Sequence, residues 1–185
     1  MSIRPSSIEY VTDLGGRVTY PGRTVKRSHR AAKLPVSGVS PAQVEQLLLL
    51  QTLLPGARLC TEDEWERAAR GADGRSFTTG ERLLPEEANV DLTYGRKPDA
   101  FGPDEVGSHP ESESPIGLQD AQGNAFEIVR SVHDDADYVE KGGSWYHDPN
   151  FVARLSGRFP LESGTKAVTL GVRLCMDAGG ANAKL

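Results

Sequence analysis

Twenty glycines and twelve prolines are scattered through 185 residues, and this punctuation constrains the chain more than any other feature. Glycine releases the backbone into turns and proline removes a backbone donor, so long regular elements fit in only two places. One opens at Ser40-Pro41-Ala42-Gln43, with an N-cap hydroxyl, a proline at the first helical position and a glutamine able to close a capping box. Val44, Leu47, Leu48 and Leu50 follow, and Pro55-Gly56 stops the helix. The other opens at a second capping box, Thr61-Glu62-Asp63-Glu64, and runs through Arg70 to Gly71. Trp65, Ala68 and Ala69 share one face, and Glu66 precedes Arg70 by four residues on the other.

The remaining patterns are short. Residues 8–12 and 17–20 flank Leu14-Gly15-Gly16 and predict a hairpin. Further strands are predicted over 125–130, 138–141, 151–155 and 168–174. Residues 71–113 carry no sustained period, which predicts a long ordered loop that some organising contact must hold. Two helices followed by loops and short strands give an irregular α+β domain with a small, twisted, mostly antiparallel sheet.

Charge and cysteine content set outer bounds on function. The net charge of -5 opposes counterion-driven attachment to nucleic acid or anionic lipid, so neither nucleic acid nor membrane is expected as a partner. The longest apolar run, Leu47 to Leu50, is too short to cross a bilayer, and a cytoplasmic location is expected. Cys60 and Cys175 are too few for a disulfide scaffold, and whether they pair is open at this level. The basic segment 23–33, with Lys26, Arg27, Arg30 and Lys33, reads as a solvated face. Ser144 sits in no motif that places a base beside it, and loop histidines such as His109 are expected at the surface.

Several blocks, taken in order, resemble the formylglycine-generating enzyme family, also called the sulfatase-modifying factor domain. They are Pro35-Val36-Ser37-Gly38-Val39-Ser40, Arg58-Leu59-Cys60-Thr61-Glu62-Asp63-Glu64-Trp65-Glu66, Ala88-Asn89-Val90, Val106-Gly107-Ser108, Ile116-Gly117-Leu118, Gly123-Asn124-Ala125-Phe126-Glu127, Gly142-Gly143-Ser144-Trp145 and Gly171-Val172-Arg173. The resemblance implies a C-type-lectin-like fold over residues 35–177, an amino-terminal extension over 1–34 and a flexible tail over 178–185. It also implies an abbreviated amino-terminal flank, which a partner chain or a second copy of this chain is expected to cover.

The resemblance implies structural calcium at two positions. At one, the side chains of Asn89 and Asp99 act with the carbonyls of Val90 and Phe101. At the other, Asp120 and Glu127 act with the carbonyls of Gly123 and Ala125. Such oxygen sets suit a hard cation that takes six to eight ligands. Read without the resemblance, Asn89 and Asp120 cap turns through their own backbone.

Family members that make formylglycine hold copper(I) between two cysteines shortly after the glycine-glycine-serine block, because a soft ion prefers thiolates. In this chain that stretch contains no cysteine. His147 and Asn150 stand nearest the two positions, so copper-dependent oxidation is not expected and the chain is expected to be non-catalytic. The alternative is a non-heme-iron or other metal-dependent oxygenase, with His133 and His147 converging on carboxylates. The resemblance places Tyr146, His147, Asn150 and Phe151 where the family builds its substrate cleft or a variable ligand-binding face. With their aromatic and polar composition, these four are expected to contact a protein or peptide ligand. The reading from sequence is thus a calcium-stabilised binding module.

Overall fold

A computed structural model describes residues 8–11, 17–20, 31–50, 54–133 and 135–177. The expected tail over 178–185 and most of the basic segment lie outside the described residues. At the amino terminus, strands β1 (Ile8–Val11) and β2 (Arg17–Tyr20) pair antiparallel, with Ile8 opposite Tyr20.

Both capping boxes form. Helix α1 (Pro41–Leu49) starts where Ser40 Oγ accepts from Gln43 N and the Gln43 side chain accepts from Ser40 N. Strand β3 (Ala57–Leu59) follows, and helix α2 (Glu62–Arg70) is capped by Thr61 and Glu64 in the same reciprocal way. Arg58 grips both oxygens of Glu64 at 2.7 Å. Those bonds, with that from Thr61 N, hold the Glu64 carboxyl at about 2. Trp65 and Ala69 turn inward from α2.

The main sheet contains β4 (Phe126–Arg130), β5 (Tyr138–Lys141), β6 (Phe159–Leu161) and β7 (Leu170–Val172), in the order β6-β5-β4-β7. Its pairings are antiparallel except β4 with β7, which is parallel and sets Phe126 opposite Leu170. A second ladder pairs β3 with β8 (Leu174–Met176). Both faces of β4 are buried. Phe126 and Ile128 join Val44, Leu59 and Leu170 on one side, and Val129 joins Trp65, Ala69 and Leu155 on the other. The period-2 alternation of a strand thereby serves two packing layers at once.

Three features of the strand reading are corrected. Residues 151–155 are not a strand: Pro149–Val152 is a one-turn helix, α3, whose N-cap Asp148 accepts from Asn150 N at 2.9 Å. An Asp-Pro helix start outweighs the strand propensity of two aromatic and β-branched residues. Residues 168–174 do not form one strand either; β7 and β8 belong to different sheets and flank Arg173. The three-residue strands β3 and β6 escape detection because three residues carry no readable period.

Buried polar contacts pin the long loop. Tyr94 Oη donates to Asp104 Oδ2 at 2.7 Å, and His109 Nε2 meets the same oxygen at 2.8 Å while its Nδ1 meets the Glu86 carbonyl at 3.2 Å. His109 is buried, contrary to the surface position expected of a loop histidine. Thr78 adds bonds from its N and Oγ1 to Gln122 Oε1. Among the described residues no helix is long and apolar enough to cross a membrane.

Candidate functional site

The turn after β5, Gly142-Gly143-Ser144-Trp145, delivers an aromatic row to the surface. Both glycines have positive φ, and a Cβ on Gly142 would stand 2.5 Å from the Ala121 carbonyl oxygen, so only glycine lets the turn pack this closely. Trp145 is buried and leans on Phe101 at 6.1 Å. From there the rings continue in contact: Phe101 to Tyr146 at 5.1 Å, Tyr146 to His147 at 5.4 Å, and His147 to Phe126 at 5.1 Å. Phe159 then links Phe126 to Phe151. Edge-to-face spacings of this kind hold rings in fixed mutual orientation. Phe126 forms the buried floor, Tyr146 and His147 are half-buried, Asn150 is exposed, and Phe151 is 70% exposed. Tyr146, His147 and Phe151 are thus linked through the rings of Phe126 and Phe159, Asn150 is the neighbour of Phe151 in α3, and the cap at Asp148 is tied to Arg96 at 2.9 Å.

One contact was not legible in the sequence. Ser144 Oγ lies 2.7 Å from His147 Nδ1, so a base does stand beside this serine. The serine is fully buried and also accepts from Tyr146 N at 3.3 Å, which makes the pair a bond within a turn and not an exposed nucleophile.

Among the described residues the histidines do not gather. His133 Nε2 meets Glu62 Oε1 at 3.0 Å beside the Arg158–Asp135 pair, whereas His147 belongs to the aromatic row. Among the described residues no three His, Cys, Asp or Glu side chains assemble as a metal-holding group. The expected convergence of His133 and His147 is thus absent from the described structure. The thiols are committed elsewhere: Cys60 and Cys175, the chain's two cysteines, form a disulfide across the β3–β8 ladder. A copper dithiolate therefore does not fit this chain.

The two expected calcium positions differ in their surroundings. Asn89 is buried, and its Nδ2 donates to the Gly102 carbonyl at 2.9 Å, which brings it against the segment carrying Asp99 and Phe101. The expected donors there, Asn89, Asp99 and the Val90 and Phe101 carbonyls, are oxygens, the ligand type a hard cation takes. At the other position Asp120, Ala125 and Glu127 line one cavity, but Arg173 shares it. Arg173 Nε and a terminal nitrogen donate to the two Glu127 oxygens at 2.7 Å each, and Trp65 Nε1 donates to Oε2 at 2.6 Å. A guanidinium supplies positive charge opposite Glu127, and Asp120 and the Gly123 and Ala125 carbonyls are the remaining oxygens of the expected set. Burial pushes the Asp120 carboxyl up, against the opposing pull of the Gly107 N–H and of Arg173.

Asn124, at φ 61°, joins these regions and was missed as a site residue. Its Oδ1 accepts from Asp104 N at 2.9 Å and Asn89 Nδ2 at 3.3 Å, while its backbone bonds both Asn89 and Trp145. The glycine-asparagine dipeptide was its visible signal; the partners, 20 and 35 residues away, were not visible.

An α+β scaffold with a mixed sheet, long pinned loops and an aromatic row after a double-glycine turn defines a class of domain, and comparison with known proteins places it. The family described as the sulfatase-modifying factor enzyme 1-like domain matches residues 10–178, and the chain belongs to that family. The mouse protein named inactive C-alpha-formylglycine-generating enzyme 2 is 33% identical over 139 residues, covering 67% of this chain and 44% of the relative. The chain thus spans less than half the length of the curated relatives it matches. Two solved structures share the fold: Treponema denticola variable protein 1 (TM-score 0.60, 17% identity, 92% of each chain) and PvdO from Pseudomonas aeruginosa (TM-score 0.61, 23% identity, 77% of this chain and 61% of that one).

Proposed function

We propose that this chain is a non-catalytic recognition module that captures a protein or peptide through Tyr146, His147, Asn150 and Phe151. The observation that carries the reading is the exposed end of the aromatic row, where Phe151 is 70% exposed on top of packed rings, in a chain whose only two thiols are bridged elsewhere. Exposed aromatics on a rigid base bind at low entropic cost. Kinship with a mouse relative named as inactive is in keeping with this reading.

Calcium at Asn89, Val90, Asp99 and Phe101 stabilises the module in this proposal, with Asn89 and Asp99 giving side-chain oxygens and Val90 and Phe101 giving carbonyls. The ion would brace the loop beneath Trp145 and Tyr146. The disulfide supports residence in an oxidising compartment and weighs against the cytoplasmic location expected from composition.

The two roles separate experimentally. Adding calcium to chelator-stripped protein raises the melting temperature, and Asp99→Asn removes that rise. Phe151→Ala and Asn150→Ala change stability by no more than about 0.5 kcal/mol, the range of surface substitutions, yet lower affinity for a peptide selected from a library on the wild-type protein by about tenfold or more. Unchanged peptide affinity in both variants contradicts the recognition role, and melting that ignores calcium contradicts the metal.

A further inference from the structure

Ser144 and His147 do more than close their turn. Ser144 is fully buried, and its Oγ meets Tyr146 N at 3.3 Å and His147 Nδ1 at 2.7 Å. A backbone N–H only donates, so Tyr146 takes one lone pair of the hydroxyl and leaves its proton to be placed. Among the described residues, His147 Nδ1 is the acceptor within reach of that proton. The reverse polarity, Nδ1–H donating to Oγ, strands a buried hydroxyl proton, which costs more than the bond returns. Nδ1 is therefore the acceptor, and the neutral ring carries its proton on Nε2.

Packing keeps the ring in that setting. The imidazole stands at 68° to Phe126 and at 90° to Tyr146, with ring centres 5.1 and 5.4 Å away. Such edge-to-face contacts resist a ring flip that would carry Nδ1 away from Ser144. The consequence is chemical. The Tyr146 hydroxyl and the Asn150 amide can each donate or accept, whereas a ring locked in this tautomer offers Nε2–H as a donor and nothing else.

We propose that Ser144 is a positioning residue that fixes His147 as a hydrogen-bond donor, and that the partner meets Nε2–H with a peptide carbonyl oxygen. The inference rests on the recognition reading and supplies its polar contact: a ligand that brings only donors to this point is rejected.

The test starts from the full chain without any ligand. Long-range nitrogen–proton NMR at neutral pH is expected to show His147 Nδ1 unprotonated and Nε2 protonated. In Ser144→Ala the lock is gone, and the spectrum moves toward a mixture of both tautomers. Two probes of similar size then read the polarity: N,N-dimethylphenylacetamide, an acceptor only, and phenethylammonium, a donor only. The amide moves the His147 Nε2 resonance and binds about threefold to tenfold tighter, the effect of one neutral hydrogen bond. In His147→Leu that preference disappears. A protonated Nδ1 or two tautomers in the wild type, a wild-type spectrum in Ser144→Ala, or an amide with no advantage over the ammonium would each overturn the proposal. The wild-type spectrum decides even where Ser144→Ala does not fold. Unchanged peptide affinity in Phe151→Ala and Asn150→Ala strikes the recognition reading and leaves the tautomer as it is, whereas a protonated Nδ1 strikes this inference alone.

Discussion

The double variant Cys60→Ser, Cys175→Ser is expected to lose about 3 to 5 kcal/mol of stability. The bridge joins residues 115 apart in sequence, so its absence returns conformational freedom to most of the unfolded chain. Little else holds that join. The β3–β8 ladder has three residue pairs, and its edge is completed by Arg58, which reaches Asp177 on the far side. The loss travels to the cavity, because β8 begins one residue after Arg173, whose guanidinium ties Glu127 to the Gln119 carbonyl. Urea unfolding of the protein with and without reductant measures the effect, and thiol titration of protein isolated without reductant should find no free cysteine. A reduced and an oxidised form that unfold at the same midpoint would contradict it.

Asn124→Ala is expected to cost about 3 to 6 kcal/mol. The substitution removes three buried hydrogen bonds, to the Asp104 N–H, to the Asp104 carbonyl and from Asn89 Nδ2, which keeps its bond to the Gly102 carbonyl, at about 0.5 to 1.5 kcal/mol each. It also forces a Cβ-bearing residue without a polar side chain into the left-handed region at φ 61°. Asn124→Gly separates the two costs: it removes the strain but still lacks the three side-chain bonds, so most of the loss should remain. Hydrogen exchange at residues 89–104 should quicken in both variants, since this side chain links that loop to β4. A loss below about 1 kcal/mol for alanine would mean that the loop is held chiefly by the Tyr94–Asp104–His109 contacts.

What the sequence revealed divides by range. Both helices were legible to the residue at their starts, because a capping box is a local reciprocal bond whose partners lie three positions apart. Strand β5 was legible for the same reason, being a short run between turn formers. The parallel partnership of β4 with β7 was not, since it joins segments more than forty residues apart and nothing local records it. The Asp148-Pro149 helix start was present in the sequence but was overridden by the strand propensity of Phe151 and Val152, a local conflict that the cap decides.

The site follows the same division. Tyr146, His147, Asn150 and Phe151 lie close in sequence, and the rings of three of them are linked. Glu127 is singled out by its place in the glycine-asparagine block, but its bonds to Arg173 and Trp65, 46 and 62 residues distant, could not be read from spacing. His109 was read as a surface residue because its neighbours are turn formers, whereas Asp104 and Glu86 enclose it. Short-range chemistry can be read from spacing, but pairing across loops depends on the fold.

The central claim is that this scaffold holds a partner without transforming it. Incubating copper-loaded protein in air with a cysteine peptide of the sulfatase type, and following the peptide by mass spectrometry, tests that claim most directly. The account predicts recovery of the peptide unchanged, with at most nonspecific disulfide formation. Conversion of the cysteine to an aldehyde over many turnovers per protein molecule would contradict it.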